Sequence, residues 1–331
     1  MTRAFAPGRV NLIGDHTDYT GGLVMPMAID LGTTVEGERG GDFVRLMSEE
    51  LEGQAVVELG IDDPAAVSPD WARYVAGVVA AVRPSSGFAG RVSTTLPVGA
   101  GLSSSAALEV SVALALGLSG SPVEVALACQ QAEQRASGVP SGVMDQLASV
   151  AGVAGHALLI DCTSLTVSPR PVPEGVDVVV VHSGETRTLV GSAYAERRAS
   201  CEAAESIIGP LREAATGDLA QLKDAVVRRR ARHVVTENQR VRDFAAVLAA
   251  GDLMDAGRLM HESHWSLAAE FEVSTPGLDA LVARLASTPG VFGARMTGAG
   301  FGGCVVALTE AGAVDEGWHV APSAGARLLE P

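Results

Sequence analysis

Pro97–Val110 reads PVGAGLSSSAALEV, a glycine- and serine-rich turn that leads directly into an apolar run. The run Ala106–Leu116 is apolar nearly all round and is stopped by Gly117, which predicts a buried helix. Gly99 and Gly101 let the backbone approach an anion closely, and the serines stand where the helix begins, at its positive dipole end. The stretch therefore predicts either a phosphate-binding loop or a strand–helix turn capped by serines. It contains no GxxxxGK[ST] pattern, so it is not a Walker A loop.

Elsewhere, strand patterns come first and helical patterns later. Ser121–Glu124 is a capping box with proline at the first helical position, which predicts a helix that runs to Gly138. The other predicted helices are Ala193–Ile208, Leu219–His233, Val241–Ala250, Leu253–Ala269 and Gly277–Ser287. The predicted strands are Leu23–Thr34, Phe43–Ser48, Ala55–Leu59, Arg91–Thr95, Ala157–Asp161, Val176–His182, Val291–Met296 and Gly303–Leu308.

This order of elements indicates an α+β fold with two lobes. The proline-rich stretch Ser168–Gly175 separates two predicted strands and is a candidate domain boundary. We therefore expect one domain at residues 1–168, with the phosphate loop, and a second at residues 169–331, with the late glycine cluster.

Composition limits the classes of partner. The 331 residues include 24 Lys and Arg against 39 Asp and Glu, a formal net charge of -15. This charge does not favour nucleic acid or anionic membranes as partners, although it also serves simply to keep a protein soluble. There is no apolar segment of a signal peptide, no membrane span and no CxxC pair, so we expect a cytoplasmic protein with reduced thiols. The basic run Arg228–Arg232 is interpreted as a solvated helix face.

Two polar clusters in the first half carry candidate binding residues. Arg9–Tyr19 reads RVNLIGDHTDY, in which hydrogen-bonding and charged side chains surround a short apolar segment. A sugar requires such groups because each hydroxyl must be paired once it leaves water, but a capped surface turn would contain the same residues. His16 could equally be a structural histidine. In the second cluster, Ser141–Gln146, an apolar setting makes Asp145 costly unless it is paired, and Arg9 is the partner that we predict.

The late glycine cluster Gly298–Gly303 formally matches GxGxxG. Predicted strands flank it on both sides and no helix follows, so a dinucleotide site is not indicated. We interpret it as a glycine-rich turn that packs beside the phosphate loop.

Three motifs in this order resemble the galactokinases of the GHMP small-molecule kinase superfamily. They are GRVNLIGDHTDYTGG at Gly8–Gly22, PVGAGLSSSAALEV at Pro97–Val110 and RMTGAGFGGCVVAL at Arg295–Leu308. The resemblance covers essentially the whole chain. It implies a two-lobed fold of mixed and antiparallel sheets packed with helices, with the active site between the lobes. It also implies that ATP and Mg²⁺ are used to phosphorylate the anomeric hydroxyl of D-galactose, giving α-D-galactose 1-phosphate.

The resemblance also implies roles for individual residues. Asp145 would be the catalytic carboxylate, which takes or orients the proton of the sugar hydroxyl, and Arg9 would be its partner. The metal would be held by Ser105 and Glu133, and the adenine would lie against Trp71, which could alternatively be ordinary helix packing. Sugar contacts are implied for Asp15, His16, Asp18, Gly142 and Tyr194. Phosphate contacts are implied for Gly99, Ala100, Gly101, Leu102, Ser103, Ser104 and Ser105.

Two positions depart from the family pattern. Asp15 stands where the family usually has Glu, and Ser141 stands where it usually has Cys. The first departure keeps open a relative that acts on N-acetylgalactosamine, arabinose or a uronic acid. A second alternative is a non-catalytic sensor that binds galactose and ATP. We expect small-molecule partners only, with the chain a monomer or a weak homodimer.

Overall fold

The computed structural model describes residues 1–97, 99–185 and 190–330, with side chains from residue 193 in the last range. Val98, within the glycine- and serine-rich turn, lies outside these ranges. The strands are β1 (Thr2–Asn11), β2 (Leu23–Val24), β3 (Pro26–Arg39), β4 (Phe43–Ser48), β5 (Gln54–Glu58), β6 (Phe88–Thr94), β7 (His156–Asp161), β8 (Thr166–Pro171), β9 (Val176–His182), β10 (Val291–Thr297), β11 (Cys304–Glu310), β12 (Trp318–Val320) and β13 (Arg327–Leu328). The helices are α1 (Ala72–Val82), α2 (Ser104–Ala115), α3 (Pro122–Ser137), α4 (Met144–Ala151), α5 (Val190–Ile208), α6 (Ala225–Ala250), α7 (Leu253–Ser266) and α8 (Pro276–Ala286).

These strands form mixed and antiparallel sheets, which confirms the predicted fold class. The largest sheet, in the order β13-β1-β3-β6-β4-β5, is antiparallel except for the parallel pair β4 and β6. The sheets β10-β11-β9-β12 and β2-β7-β8 are antiparallel throughout. Helix α2 packs on β1 and β3, while α7 and α8 pack on β10. Each half of the chain thus places helices against its own sheet.

The structure confirms the helix predictions that rest on capping residues and on an apolar sequence. Ser121 Oγ accepts the amide of Glu124, whose carboxylate accepts the Ser121 amide at 2.7 Å, and α3 ends at Gly138 in the left-handed conformation. Helix α2 is buried nearly all round, as its apolar sequence predicts. No helix in the described ranges is both long and apolar enough to cross a bilayer.

Other elements differ from the prediction for identifiable reasons. The two helices predicted at Leu219–His233 and Val241–Ala250 are one, α6, which begins only at Ala225. Its polar middle looked like a break, yet Glu237 and Asn238 are buried there because they bond the loop that follows β1.

Strand β1 was not predicted because proline and glycine interrupt its alternation, at a bulge in its pairing. Helices α1 and α4 were not predicted because neither has a side-chain cap.

The chain returns to its first sheet at the C-terminus. β13 pairs with β1, and the amide of Ala326 bonds the carbonyl of Ser149 just after the middle of α4. The boundary expected at residue 168 falls within β8, which pairs with β7. The division into residues 1–168 and 169–331 stays a prediction.

Candidate active site

Two adjoining cavities lie between the halves of the chain. One of about 270 Å³ is bounded by the polar loop after β1 and by α5, and one of about 620 Å³ is bounded by the turn before α2. Arg9, Glu133, Asp145 and Ala299 line both. The cavities therefore meet at a charged boundary, and residues of the second half contribute to it.

Asp145 and Arg9 form a two-pronged ion pair at this boundary. Arg9 Nε donates to Asp145 Oδ1 and Nη2 donates to Oδ2, each at 2.8 Å. Arg9 comes from β1 and is almost fully buried, whereas Asp145 sits in the first turn of α4, where the helix dipole favours a carboxylate. The pairing confirms the partner predicted from sequence. Its parallel geometry fixes the carboxylate plane more firmly than a single contact could.

Only some residues of the glycine- and serine-rich turn line the larger cavity, namely Gly99, Gly101 and Ser103–Ser105. Gly99, Gly101 and Ser103 have φ of 78°, 77° and 59°, so the backbone winds in the left-handed region that favours glycine. The side chains of Ala100 and Leu102 are buried in the core instead, so those two residues could meet a ligand only through their backbone. Arg9 Nη1 also donates to the Gly101 carbonyl at 2.9 Å, and so ties the turn to Asp145.

Ser103 has a contact that the sequence did not reveal. Its hydroxyl donates to Asp145 Oδ2 at 2.6 Å, across 42 residues of sequence. Asp145 Oδ2 thus accepts two hydrogen bonds and Oδ1 accepts one, which leaves Oδ1 free to accept another donor.

Ser105 and Glu133 lie together, as the resemblance implies for metal ligands. Ser105 Oγ donates to Glu133 Oε1, and Ser141 Oγ donates to Oε2, both at 2.9 Å. Burial and the nearby Asp145 raise the pKa of Glu133. A hydroxyl and a carboxylate fit Mg²⁺, a hard cation that often takes only one or two protein ligands and completes its shell with phosphate oxygens and water. No group of three or more His, Cys, Asp or Glu in the described chain could hold a metal by itself.

Trp71 lies beside the glycine- and serine-rich turn. It precedes α1, donates its indole N–H to the carbonyl of Glu52 at 3.2 Å, and is 9% exposed. With Tyr74, Ser104 and Ser105 it lines a further cavity of about 260 Å³. Trp71 is thus largely packed into the core, and the part of it that stays exposed lines a cavity next to Ser104 and Ser105.

The loop after β1 is held mainly by residues of the second half. Asp15 is buried, its Oδ1 accepts the amide of Gly298 at 2.9 Å, and its Oδ2 pairs with Arg295 at 2.6 Å.

Helix α6 holds the same region through two buried side chains. Glu237 accepts a hydrogen bond from the amide of Gly14 at 3.0 Å, and Asn238 accepts one from the amide of Leu23 at 2.8 Å. Arg295 and Glu237 were missed from sequence, because nothing local marks residues whose partners lie so far away along the chain.

His16 is a neutral imidazole, and each of its ring nitrogens has a hydrogen-bond partner. Burial lowers its pKa to about 4. Its Nε2 lies 3.2 Å from the carbonyl of Ala299, which can only accept, so Nε2 carries the proton and Nδ1 accepts from the Tyr19 hydroxyl at 3.1 Å. The rings of Tyr194 and Phe271 pack against it, with centroids 5.6 and 4.8 Å away. His16 thus forms a wall of the smaller cavity, with both ring nitrogens already bonded within the protein.

Two arginines hold the segment that contains Phe271 by hydrogen bonds to its backbone and to Glu272. Arg197 donates to the carbonyls of Phe271 and Glu272 at 2.7 and 2.8 Å. Arg230 is 2% exposed and bonds the Glu270 carbonyl and the Glu272 carboxylate. The interpretation of the basic run at 228–232 as a solvated helix face is therefore wrong for Arg230, because it points inward to hold the segment that packs on His16.

Asp18 and Gly142 meet on the opposite wall. A Cβ at position 142 would stand 1.8 Å from Asp18 Oδ2, so any side chain there would displace the Asp18 carboxylate. Burial, together with the nearby Asp145, raises the pKa of Asp18 to about 7. The predicted sugar residues Asp15, His16, Asp18, Gly142 and Tyr194 all line this one cavity.

The raised pKa of Asp18 makes stability depend on pH. The unfolded chain releases this proton near the ordinary pKa of 3.8 and the folded chain only near 7, so the free energy of unfolding falls as pH rises between those values. We expect Asp18→Asn to match the parent at pH 4 and to be more stable by about 1 to 3 kcal/mol at pH 8. Urea unfolding across this range measures the difference, with Asp42→Asn on an exposed loop as the control. A difference that does not grow with pH would contradict the assignment.

Comparison with known proteins agrees with this geometry. Family models match for the galactokinase galactose-binding signature at residues 2–39, the GHMP kinase N-terminal domain at 73–153 and the GHMP kinase C-terminal domain at 244–326. The galactokinase of Roseiflexus sp. (strain RS-1) is 45% identical over 95% of this chain and 85% of its own length. The human galactokinase is 44% identical over 93% of this chain and 83% of its own.

Solved structures extend the comparison to three dimensions. The galactokinase of Lactococcus lactis, solved in complex with galactose, superimposes with a TM-score of 0.93 at 31% identity, over 99% of this chain and 95% of its own. A mevalonate kinase shares the fold alone, with a TM-score of 0.64 at 21% identity, over 93% of this chain and 91% of its own. The identities along nearly the whole chain and the matching architecture show that this protein belongs to the galactokinase family.

Proposed function

We propose that this protein transfers the terminal phosphoryl group of ATP to the anomeric hydroxyl of D-galactose, giving α-D-galactose 1-phosphate and ADP. The observation that carries the proposal is the Arg9–Asp145 pair at the boundary of two cavities. One cavity is walled by the galactose-signature residues and the other by the phosphate turn. A hydroxyl in the first and a phosphate in the second would meet beside Asp145.

In this arrangement Asp145 orients the attacking hydroxyl. Its Oδ1 has room for one more donor, so the anomeric O–H can donate to it and point its lone pair toward the phosphate turn. Arg9 and Ser103 both donate to the Asp145 carboxylate, and Asp145 takes the proton late, as the new O–P bond forms. The proton then resides on Asp145 until solvent removes it.

The phosphate turn supplies the other half of the chemistry. Backbone N–H groups at the start of α2 and the hydroxyls of Ser103, Ser104 and Ser105 would hold the nucleotide phosphates, with the adenine against Trp71. When bound by Ser105 and Glu133, Mg²⁺ would offset negative charge on the transferring phosphoryl group. A cytoplasmic location and a monomeric or weakly dimeric state stay predictions.

The proposal is tested by a coupled assay of ADP release. We expect ADP release to require both galactose and Mg²⁺, with the highest kcat/KM for galactose in a panel that includes N-acetylgalactosamine, arabinose and galacturonic acid. The related-sugar alternative rests on Asp15, which is one methylene shorter than Glu, is ion-paired with Arg295 and accepts a hydrogen bond from the Gly298 amide. A clear preference for one of the other sugars would favour that alternative. Binding of galactose and ATP without any ADP release would favour a sensor.

Gly142 offers a test of the sugar cavity. Its replacement by Ala would drive a methyl group into the Asp18 carboxylate, which must move away from the bound sugar. At pH 8 the Asp18 carboxylate is charged, since its pKa is about 7, and a hydrogen bond to a charged group contributes about 1.5 to 3 kcal/mol. In an assay at pH 8 we therefore expect the KM for galactose to rise about tenfold or more while the KM for ATP is unchanged. Gly60→Ala, where the added methyl meets nothing within 4 Å, is the control. A rise in both KM values would show general damage instead.

A further inference from the structure

One buried carboxyl group behind the proposed metal site has no part in the mechanism above. Glu109 lies in the middle of α2 and is 0% exposed. The charged groups that face it are the carboxylates of Glu133, on α3, and Asp145, on α4, and the thiol of Cys129 on α3 also lies nearby. Burying a carboxylate beside other carboxylates is costly, so its retention needs a reason.

Gln146 connects Glu109 to the metal site. The Gln146 Nε2 group donates to Glu109 Oε2 at 3.0 Å and to Glu133 Oε2 at 2.9 Å. This amide is also 0% exposed and directly follows the catalytic Asp145 in α4. The opposite oxygen of Glu133 faces Ser105. Gln146 therefore helps to set the orientation of the carboxylate proposed to hold the metal.

Two oxygen atoms in this chain of contacts have no donor. Glu109 Oε1 and Gln146 Oε1 are both buried without a hydrogen-bond partner among the described residues. A buried acceptor that has lost its water and found no donor destabilises the folded state. A proton on Glu109 Oε1 would make that oxygen a donor, and the Gln146 oxygen is a buried acceptor on the same amide that already bonds Glu109 Oε2.

Resting on the proposed function, we propose that Glu109 is a positioning residue that acts as a neutral carboxylic acid. It forms a closed acid–amide pair with Gln146, in which the acid donates to Gln146 Oε1 and Gln146 Nε2 donates back. The pair stops the amide from turning and so holds Glu133 toward Ser105. Burial first, and then Glu133, raise the pKa of Glu109 well above its ordinary range, which agrees with this state.

Two substitutions separate positioning from charge. Glu109→Gln keeps both hydrogen bonds, since its amide donates to Gln146 Oε1 and its oxygen accepts from Nε2. Glu109→Met fills similar space but removes the partner of Gln146 at position 109, so the amide keeps its bond to Glu133 without the second restraint. Binding of Mn²⁺, measured by electron paramagnetic resonance on the complex with ADP, reports the metal site without turnover.

We expect Glu109→Gln to bind Mn²⁺ within about twofold of the parent and Glu109→Met to bind it about tenfold more weakly, the lower end of what partners behind metal ligands contribute. Galactose affinity, measured by calorimetry, should be equal in all three proteins. Equal losses in both variants would overturn the neutral-acid assignment. Unchanged binding in Glu109→Met would overturn the positioning role.

Infrared spectroscopy provides a measurement that does not require Glu109→Met to fold. The difference spectrum of the parent and Glu109→Gln at pH 7 should show the C=O band of one protonated carboxyl in the parent. Without that band, the proposal fails. Both experiments omit galactose turnover, so a wild-type protein that released no ADP with galactose would refute the proposed function separately.

Discussion

Asp145→Asn is expected to lower kcat by about a thousandfold. The asparagine cannot take the proton of the anomeric hydroxyl, and general-base contributions of this kind range from about 10² to 10⁴. It also leaves Arg9 and Ser103 with a neutral partner, so part of the positioning is lost as well. Galactose and nucleotide should still bind with nearly the parent affinity, because their other contacts remain. A single-turnover measurement of ADP formation, with calorimetry for galactose, separates these two effects.

The chain contains a matched control for this substitution. Asp161 forms a similar two-pronged pair with Arg212, at 2.8 Å, and its side chain is 26% exposed, as that of Asp145 is. It lines neither of the two cavities. Asp161→Asn should therefore change kcat by less than about threefold. If Asp145→Asn kept more than a tenth of the parent activity, the proton acceptor would have to be another group.

The second large effect is on stability. Arg295→Met should lower the free energy of unfolding by about 3 to 5 kcal/mol, because it leaves the Asp15 carboxylate buried without its cation. Arg295 is 0% exposed, and its side-chain contact with Asp15 is 2.6 Å. It also donates to the carbonyl of Asn11 at 3.2 Å, so β10 would lose a tie to the end of β1. Urea unfolding monitored by fluorescence measures the change.

Two further variants make this prediction specific. Arg258→Met removes an arginine that pairs with Asp255 on the same helix, α7, but whose side chain is 53% exposed, and it should cost less than about 1 kcal/mol. Asp15→Leu combined with Arg295→Met should recover part of the loss, since two apolar side chains can replace a buried pair. Equal losses for Arg295→Met and Arg258→Met would mean that the buried pair is not stabilising the loop.

Much of the site could be predicted because its signals are local. The glycine- and serine-rich turn, the α3 caps and the Gly298–Gly303 hairpin each depend on residues within a few positions of one another. Even the long-range pairing of Arg9 with Asp145 was accessible, because a carboxylate in an apolar segment requires a cation. The resemblance to galactokinases then implied that these pieces belong to one active site.

Residues that support the site from a distance were not accessible in the same way. Arg295, Glu237 and Arg230 carry no local mark of their partners, and the run that contains Arg230 resembled a solvent-exposed face. Similarly, the polar middle of α6 suggested a break between two helices. Nothing in the residues next to these positions indicates a buried partner that lies so far along the chain.

Sequence alone was sufficient for the fold class, the glycine- and serine-rich turn before α2 and the family, since these depend on short-range backbone preferences and contiguous motifs. The three-dimensional arrangement was needed for the neutral state of His16, the second donor to Asp145 from Ser103, and the Asp15–Arg295 pair. These properties depend on burial and on distances between remote atoms. Burial changes the free energy of a charge or a hydrogen bond by several kcal/mol, and only packing determines which groups leave water.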